Sequence, residues 1–394
     1  MKYLLFTRKG VNIKGLYPFT LTRNPQDIMM GMMTNRQRWE RTLHLPSFDL
    51  EEGGKLPCLH PQIKWQDIKP SDTVYLMQSN LLPTKNLISK IKKLKPGGAI
   101  AAADGQILVY LLGEKQLSKE KKMPEPNEVT ILHDLLKIEF SWDIFGLNKQ
   151  MLQYDFEWLT KNKKSEPFDK ANKISGVKSV FVEKGAVLKH VIINAEQGPV
   201  FISKNALVME GACLRGPIFI GENAVVKMGA KIYGATTIGP GCTVGGEIKN
   251  VVMFGNSNKA HDGYLGDSVI GEWCNLGAGT CNSNLKNTAG NIVVHLQHQK
   301  LEAGQKCGVL MGDFSRTAIN TSINTGTVMG VSCNVFGGGL TPKHIPSFAW
   351  GMSGETIYKQ ENALRDADNW KKLKNEALSE TEKSILRNIY KHIK

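Results

Sequence analysis

From Ile202 onward every sixth residue is a branched aliphatic: Ile202, Val208, Leu214, Ile220, Val226, Ile232, Ile238 and Val244. A period of six fits neither the 3.6-residue α-helix nor a simple hairpin array. Longer words return at three times that interval, GPVFIS from Gly198, GPIFIG from Gly216 and GATTIG from Gly234. The spacing predicts a parallel solenoid with an 18-residue turn made of three six-residue sides. Each side is a short strand whose aliphatic residue points to the axis. A small residue follows four positions later at Ala206, Ala212, Ala224, Ala230, Thr236 and Cys242, and Gly221, Gly239 and Gly245 suit tight corners.

The register then shifts. Tyr264, Ile270 and Leu276 form a second phase, and Met311, Thr317, Ile323, Met329 and Val335 a third. The breaks predict two excursions, about 245–263 and 282–310, and loops that leave a rigid solenoid are where sites are usually built. Val182 and Leu188 mark an upstream coil. The first half reads differently. MKYLLF, Val74–Met77, Ala99–Ala103 and Ile107–Leu112 predict strands, and Leu87, Ile88, Ile91 and Leu94 one face of a helix. Interleaved strands and helices predict an α/β domain over 1–165, a reduced nucleotidyltransferase-like fold once the resemblance below is included. A linker is expected over 166–180, at the end of the lysine-rich stretch Lys161, Lys163, Lys164, and the β-helix over 181–350. Leu364, Leu373, Leu378, Ile385, Leu386 and Ile389 predict one or two C-terminal helices over 351–394.

Composition narrows the function classes. The chain has 394 residues, 41% hydrophobic and 22% charged, which suits two or three folded domains and excludes a disordered chain. No apolar run approaches the roughly 18 residues of a membrane helix, and the apolar start of MKYLLFTRKG is too short for a signal peptide. The expected location is the cytoplasm, away from the membrane. A net charge of +14 is compatible with nucleic acid, a membrane surface or anionic small substrates. The runs Lys90, Lys92, Lys93, Lys95 and Lys119, Lys121, Lys122 read as solvated faces, so nucleic acid is not the expected partner. Cys58, Cys213, Cys242, Cys274, Cys281, Cys307 and Cys333 form no CxxC pair and no zinc spacing, and read as buried thiols.

The hexapeptide pattern resembles the left-handed parallel β-helix family of acyl- and nucleotidyl-transferases. The left hand is implied by that resemblance, since crossover chirality alone favours the right. The segment KAHDGYLGDSVIGEWCNLGAGTCNSNLK, Lys259 to Lys286, resembles the acetyltransferase domain of the bifunctional N-acetylglucosamine-1-phosphate uridylyltransferase/glucosamine-1-phosphate acetyltransferases, most of all the archaeal type. GGEIKN (Gly245–Asn250) extends the likeness upstream, and GDFSRTAINTSI resembles a further family segment. The resemblance implies that His261 is the general base, and an imidazole of pKa about 6.5 suits deprotonation of an attacking amine. It implies that Glu247, Lys249, Tyr264 and Asn275 lie around the sugar phosphate, and Asn284 near the amine and acetyl group. Lys231, 18 residues before Lys249, is expected to stack on it and stands where the uridylyltransferase type has Arg. Leu285 replaces a family Tyr, and Lys286 is a candidate for a downstream family lysine.

The amino-terminal end resembles a variant group of nucleotidylyltransferase/acetyltransferases that open with Leu-Pro-Phe-Thr-x-Thr-Arg-Pro. Here that element reads Tyr17-Pro18-Phe19-Thr20 with Thr22-Arg23, Asn24 replaces the Pro, and Trp142–Phe145 matches the group's Trp-Asp-Ile-Phe. No GxGxR loop follows the first strand. Arg23 is the candidate nucleotide-phosphate contact, and no acidic pair is assigned to Mg²⁺. The resemblance implies a homotrimer with sites between prisms. It implies acetyl-CoA as co-substrate, Mg²⁺ for nucleotidyl transfer, and a sugar 1-phosphate and an NTP as ligands. Two activities are then expected: N-acetylation of an amino-sugar 1-phosphate by the β-helix, and nucleotidyl transfer to a sugar 1-phosphate by the N-terminal domain. Loss of one activity, or a non-catalytic trimeric sugar-nucleotide-binding scaffold, are the alternatives.

Overall fold

A computed structural model describes residues 1–52, 59–117, 124–297 and 299–393. Cys58 and Lys119, Lys121 and Lys122 lie outside the described residues. The chain forms two compact units, the first made of Met1–Leu16, Arg23–Ile28 and Met33–Glu139 and the second of Tyr17–Thr22, Met29–Met32 and Phe140–Lys394.

The first unit is built on a seven-stranded sheet in the order Glu128–Leu132, Gly98–Ala102, Ile107–Leu112, Thr73–Gln78, Lys2–Thr7, Ser47–Leu50, Gln62–Ile63. Ile107–Leu112 runs antiparallel to both neighbours, and the other pairings are parallel. Its central strands are apolar almost throughout because both faces are covered. Leu4, Phe6, Tyr75 and Met77 pack with Trp39, Leu87 and Ile91 on one side; Tyr3, Leu5, Val74 and Leu76 pack with Tyr110 on the other. The expected helix is present as Lys85–Ile91. A further helix, Asn35–Leu43, begins at a capping box in which Thr34 and Gln37 satisfy each other's backbone donors.

The second unit is a parallel β-helix. All eight six-spaced aliphatics are buried, as are the small residues Ala206, Ala212, Ala224, Ala230, Thr236 and Cys242. Strands repeat on three faces: Cys213–Arg215 and Lys231–Tyr233 on the first, Ile218–Ile220 and Thr236–Ile238 on the second, Val225–Val226 and Thr243–Val244 on the third. The third-phase residues Met311, Thr317, Ile323, Met329 and Val335 all point inward.

The coil length is not constant, and this corrects three expectations. Upstream, Val182 pairs with Ile202 and Ile193 with Leu214, so those coils hold 20 and 21 residues. Past Val244 the coil contracts, with Ile232 opposite Ile248 and Val244 opposite Lys259, offsets of 16 and 15. The stretch 245–263 is therefore no excursion: Glu247–Met253 and Asn258–Lys259 continue the rungs, and a shortened corner causes the phase shift. The inward residue after the shift is Leu265, not Tyr264, which stands outward and half-buried. The contraction also places Lys231 opposite Glu247 and Tyr233 opposite Lys249, so the two lysines share a face without stacking on each other. The second excursion is real. The chain leaves after Cys281–Asn282, forms the hairpin Val293–Leu296/Gln299–Glu302, and re-enters with Met311 opposite Ile270.

The expected linker carries the first rung, since Lys173–Ser175 pairs with Ile192–Asn194. The second face is covered by helix Asn148–Thr160, where Phe156 meets Phe201 edge-on in the stack Phe181–Phe201–Phe219. Two C-terminal helices, Gln360–Lys372 and Glu380–Lys391, bury Ala363, Ala367, Leu386 and Ile389 against Trp273, Phe314 and Phe348 of the β-helix. Leu373, counted among the apolar helix positions, is exposed instead.

Candidate functional site

The expected residues Glu247, Lys249, Tyr264 and Asn284 meet on the first face. Glu247 lies opposite Tyr264, and Lys249 opposite Gly266, in adjacent parallel rungs. Gly266 lets the Tyr264 ring lie back along its own strand, since a Cβ there would stand 2.2 Å from the phenol oxygen. Glu247 accepts a 2.6 Å hydrogen bond from the Tyr233 hydroxyl. That bond, then burial, pushes the Tyr233 phenol up to about 12. Burial, with Asp267, Tyr233 and Glu247 nearby, pushes Tyr264 up to about 12, so both phenols stay protonated donors at neutral pH.

Asp267 is the residue that sequence reasoning missed. It is buried at a corner with φ +46°, and its carboxylate accepts from the Asn250 amide at 2.7 Å and from the Asn284 amide. Asn284 Nδ2 also donates to the Tyr264 hydroxyl at 3.0 Å. Its amide nitrogen is thus spent inside the cluster, and its carbonyl oxygen is the atom left to meet a ligand. Within the motif Asp267 reads as one more turn residue, and only the fold reveals two amides converging on it.

His261 occupies the edge where the third face turns into the first, and its side chain is exposed. Gly246, at φ +70°, lies directly against this turn: a Cβ there would come within 3.0 Å of the His261 carbonyl oxygen. Above it, a Cβ on Gly263 would stand 2.2 Å from the Thr280 carbonyl oxygen. Both glycines are needed for the coils to close on the histidine turn.

Other expected residues lie apart from the cluster. Lys231 is exposed on the same face, one rung before Glu247. Asn275 stands on the third face, between Asn258 and Arg316, away from Tyr264 and Asn284 of its own chain. Arg23 is buried in the first unit.

The first unit holds its own cavity of about 610 Å³ beside the end of the first strand. Leu50, Trp65, Leu76 and Tyr110 form its apolar wall, Thr7, Lys9, Glu52 and Gln78 its polar side, and Arg23 does not line it. Among the described residues no group of three or more His, Cys, Asp or Glu converges as a metal site. The buried carboxylates Asp27 and Asp49 are both held by Arg36, so neither is free to take a Mg²⁺ ion. Of the cysteines, Cys242, Cys274, Cys307 and Cys333 are buried as expected, whereas Cys213 and Cys281 are exposed.

Residues 3–164 match the family model described as sugar nucleotidyl transferase. The chain is 30% identical over 118 residues to the bifunctional protein GlmU of Methanocaldococcus jannaschii, covering 30% of this chain and 28% of the relative. It is 34% identical over 84 residues to that of Methanococcus aeolicus, covering 21% and 20%. It is 32% identical over 100 residues to a bifunctional sugar-1-phosphate nucleotidylyltransferase/acetyltransferase of Sulfurisphaera tokodaii, covering 25% of each. The matched stretch spans less than a third of the length of these relatives. No helix among the described residues is long and apolar enough to cross a membrane.

Proposed function

We propose that the β-helix transfers an acetyl group from acetyl-CoA to the amine of an amino-sugar 1-phosphate such as glucosamine 1-phosphate. The observation that carries this reading is the first-face cluster of Glu247, Lys249, Tyr264, Asp267 and Asn284, in the rungs that flank the His261 turn. Lys249, with Lys231 one rung below its neighbour, supplies positive charge for the acceptor's phosphate. Asn284 presents its carbonyl oxygen to the N–H of the acceptor. His261 takes the proton as the nitrogen attacks the thioester carbonyl; the C–S bond then breaks, His261 returns the proton to the sulfur, and CoA leaves as the thiol. Asn275, on another face, reaches such a site only from a neighbouring subunit, which a homotrimer would provide.

The N-terminal unit, in the same reading, joins an NTP to a sugar 1-phosphate and releases pyrophosphate, with Arg23 its candidate phosphate contact. A second reading retains acetyl transfer alone, and Glu52 favours it. The Glu52 carboxylate accepts from the Thr7 hydroxyl and, at 2.7 Å, from the Arg8 amide, donors that a nucleotide phosphate would need at the end of the first strand.

Two assays separate the readings: thiol release from acetyl-CoA with glucosamine 1-phosphate, and pyrophosphate release from UTP or dTTP with sugar 1-phosphates. Thiol release without pyrophosphate release selects the second reading, and neither product leaves a binding scaffold. His261→Ala should lower kcat for acetyl transfer by about 10²–10⁴ with KM little changed. Near-wild-type turnover in the folded variant would remove His261 as the base.

A further inference from the structure

Lys259 interrupts the aliphatic ladder of the third face. It takes the inward position opposite Val244, and the next strand on that face, Asn275–Leu276, pairs through Asn258 and Asn275. Only 2% of its surface is exposed. Burial pushes its ammonium below the ordinary lysine range, so a charge here is costly to keep. A leucine or valine would serve the ladder better. What the ammonium does is local: it donates to the Gly245 carbonyl at 3.3 Å and to the His261 carbonyl. The next two carbonyls are held as well, Asp262 by the Gly279 amide at 3.1 Å and Gly263 by the Glu247 amide at 3.2 Å. Three consecutive carbonyls of the histidine turn are therefore fixed by donors from three different rungs, and only the first depends on a side chain.

We propose that Lys259 is a positioning residue, a cation built into the β-helix interior to hold the His261 turn in its working conformation. This rests on the acetyl-transfer reading above. A displacement of the imidazole by about 1 Å would cost on the order of 10²-fold in rate, which gives a buried charge a use that stability does not.

The test is Lys259→Met in the full-length protein, which keeps the length and apolar stem and removes the charge. Three readouts are taken: melting temperature, hydrogen exchange of the peptide spanning 258–266, and steady-state thiol release with glucosamine 1-phosphate. The proposal expects an unchanged or higher melting temperature, exchange of that peptide at least fivefold faster than in wild type with other rungs unaffected, and kcat lower by about 10–100-fold with acceptor KM within threefold. A lower melting temperature with wild-type kcat in the folded fraction would overturn it, because Lys259 would then be structural only. Unchanged exchange at 258–266 would overturn it as well. If wild type itself releases no thiol, the acetyl-transfer reading fails on its own, and the exchange measurement still decides whether Lys259 holds the turn.

Discussion

Two buried carboxylates of the N-terminal unit, Asp27 and Asp49, converge on the Arg36 guanidinium, at 2.6 Å and 2.5 Å. Asn24 and Gln26 complete the set by donating to Asp49 at 2.9 Å and 2.7 Å. Arg36→Ala would leave both acids in place without their cation, and breaking such a pair from one side costs about 3–5 kcal/mol. Urea unfolding should show that loss as a lowered midpoint at unchanged slope. Burial pushes Asp27 upward, but hydrogen bonds from His60 and Arg36 hold it below the ordinary carboxylate range. Its contribution is therefore present above the unfolded-state value near 4 and lost as pH falls through the lower folded value. The difference in melting temperature between wild type and Arg36→Ala should be flat from about pH 7 to 5 and shrink below about pH 4, and an Arg36→Ala protein with the wild-type acid profile would contradict this. At this scale the sequence offers a candidate where a motif singles out one side chain, as it does His261. It is illegible where the role comes from convergence: Asp27, Asp49, Arg36 and Asp267 take their roles from buried neighbours that only the fold brings together.

Along each element, legibility depends on whether one face is uniformly apolar. Ladder positions Ile202 to Val244 were readable because every corner between them spends the same number of residues. The reading failed at Gly245 and Gly246, where a Cβ on Gly245 would stand 2.5 Å from the Ala260 carbonyl oxygen and the corner closes early. A fixed step of six cannot follow a corner that has lost residues, so it lands on Tyr264 instead of Leu265 and passes over the inward Lys259. Helix Asn148–Thr160 escaped notice for a related reason. Its buried side includes Asn148, which accepts from the Gly31 amide at 2.6 Å, and Asp155, which accepts from the Met32 amide at 2.8 Å. Polar groups on the covered side erase the apolar stripe that announces a helix. The ladder itself is tested by Val226→Asp. Val226 is fully buried between Val208 and Val244, and an unpaired carboxylate there costs at least several kcal/mol. At about 2–4 °C per kcal/mol for a unit of this size, melting should drop by roughly 10 °C or more, if the variant stays soluble at all. A soluble variant with the wild-type melting temperature would place Val226 outside the core.

Across the β-helix as a whole, its own unit covers two of the three faces in part. The second is covered by Asn148–Thr160, and the third, at its C-terminal end, by Gln360–Lys372, where the Arg316 guanidinium lies 5.3 Å from the Trp370 ring centroid. On the first face Lys231 is exposed, and at the start of the third Val187, 57% exposed, stacks with the half-buried Leu207 and Val225. Between these two faces runs the edge that carries His261, with Met228, 69% exposed, before it and Ile319, 68% exposed, after it. A cyclic homotrimer would bury that edge three times over and bring a neighbour's third face, with its Asn275, towards His261. Light scattering near neutral pH should therefore give about three times the 43.6 kDa chain mass. The double variant Met228→Glu, Ile319→Glu sets like charges along the edge without touching the ladder. It should keep the wild-type circular dichroism spectrum, fall to the mass of one chain, and lose thiol release in proportion to the trimer lost. A trimer that survives both substitutions with full activity would show that the subunits meet elsewhere and that each chain completes its own site.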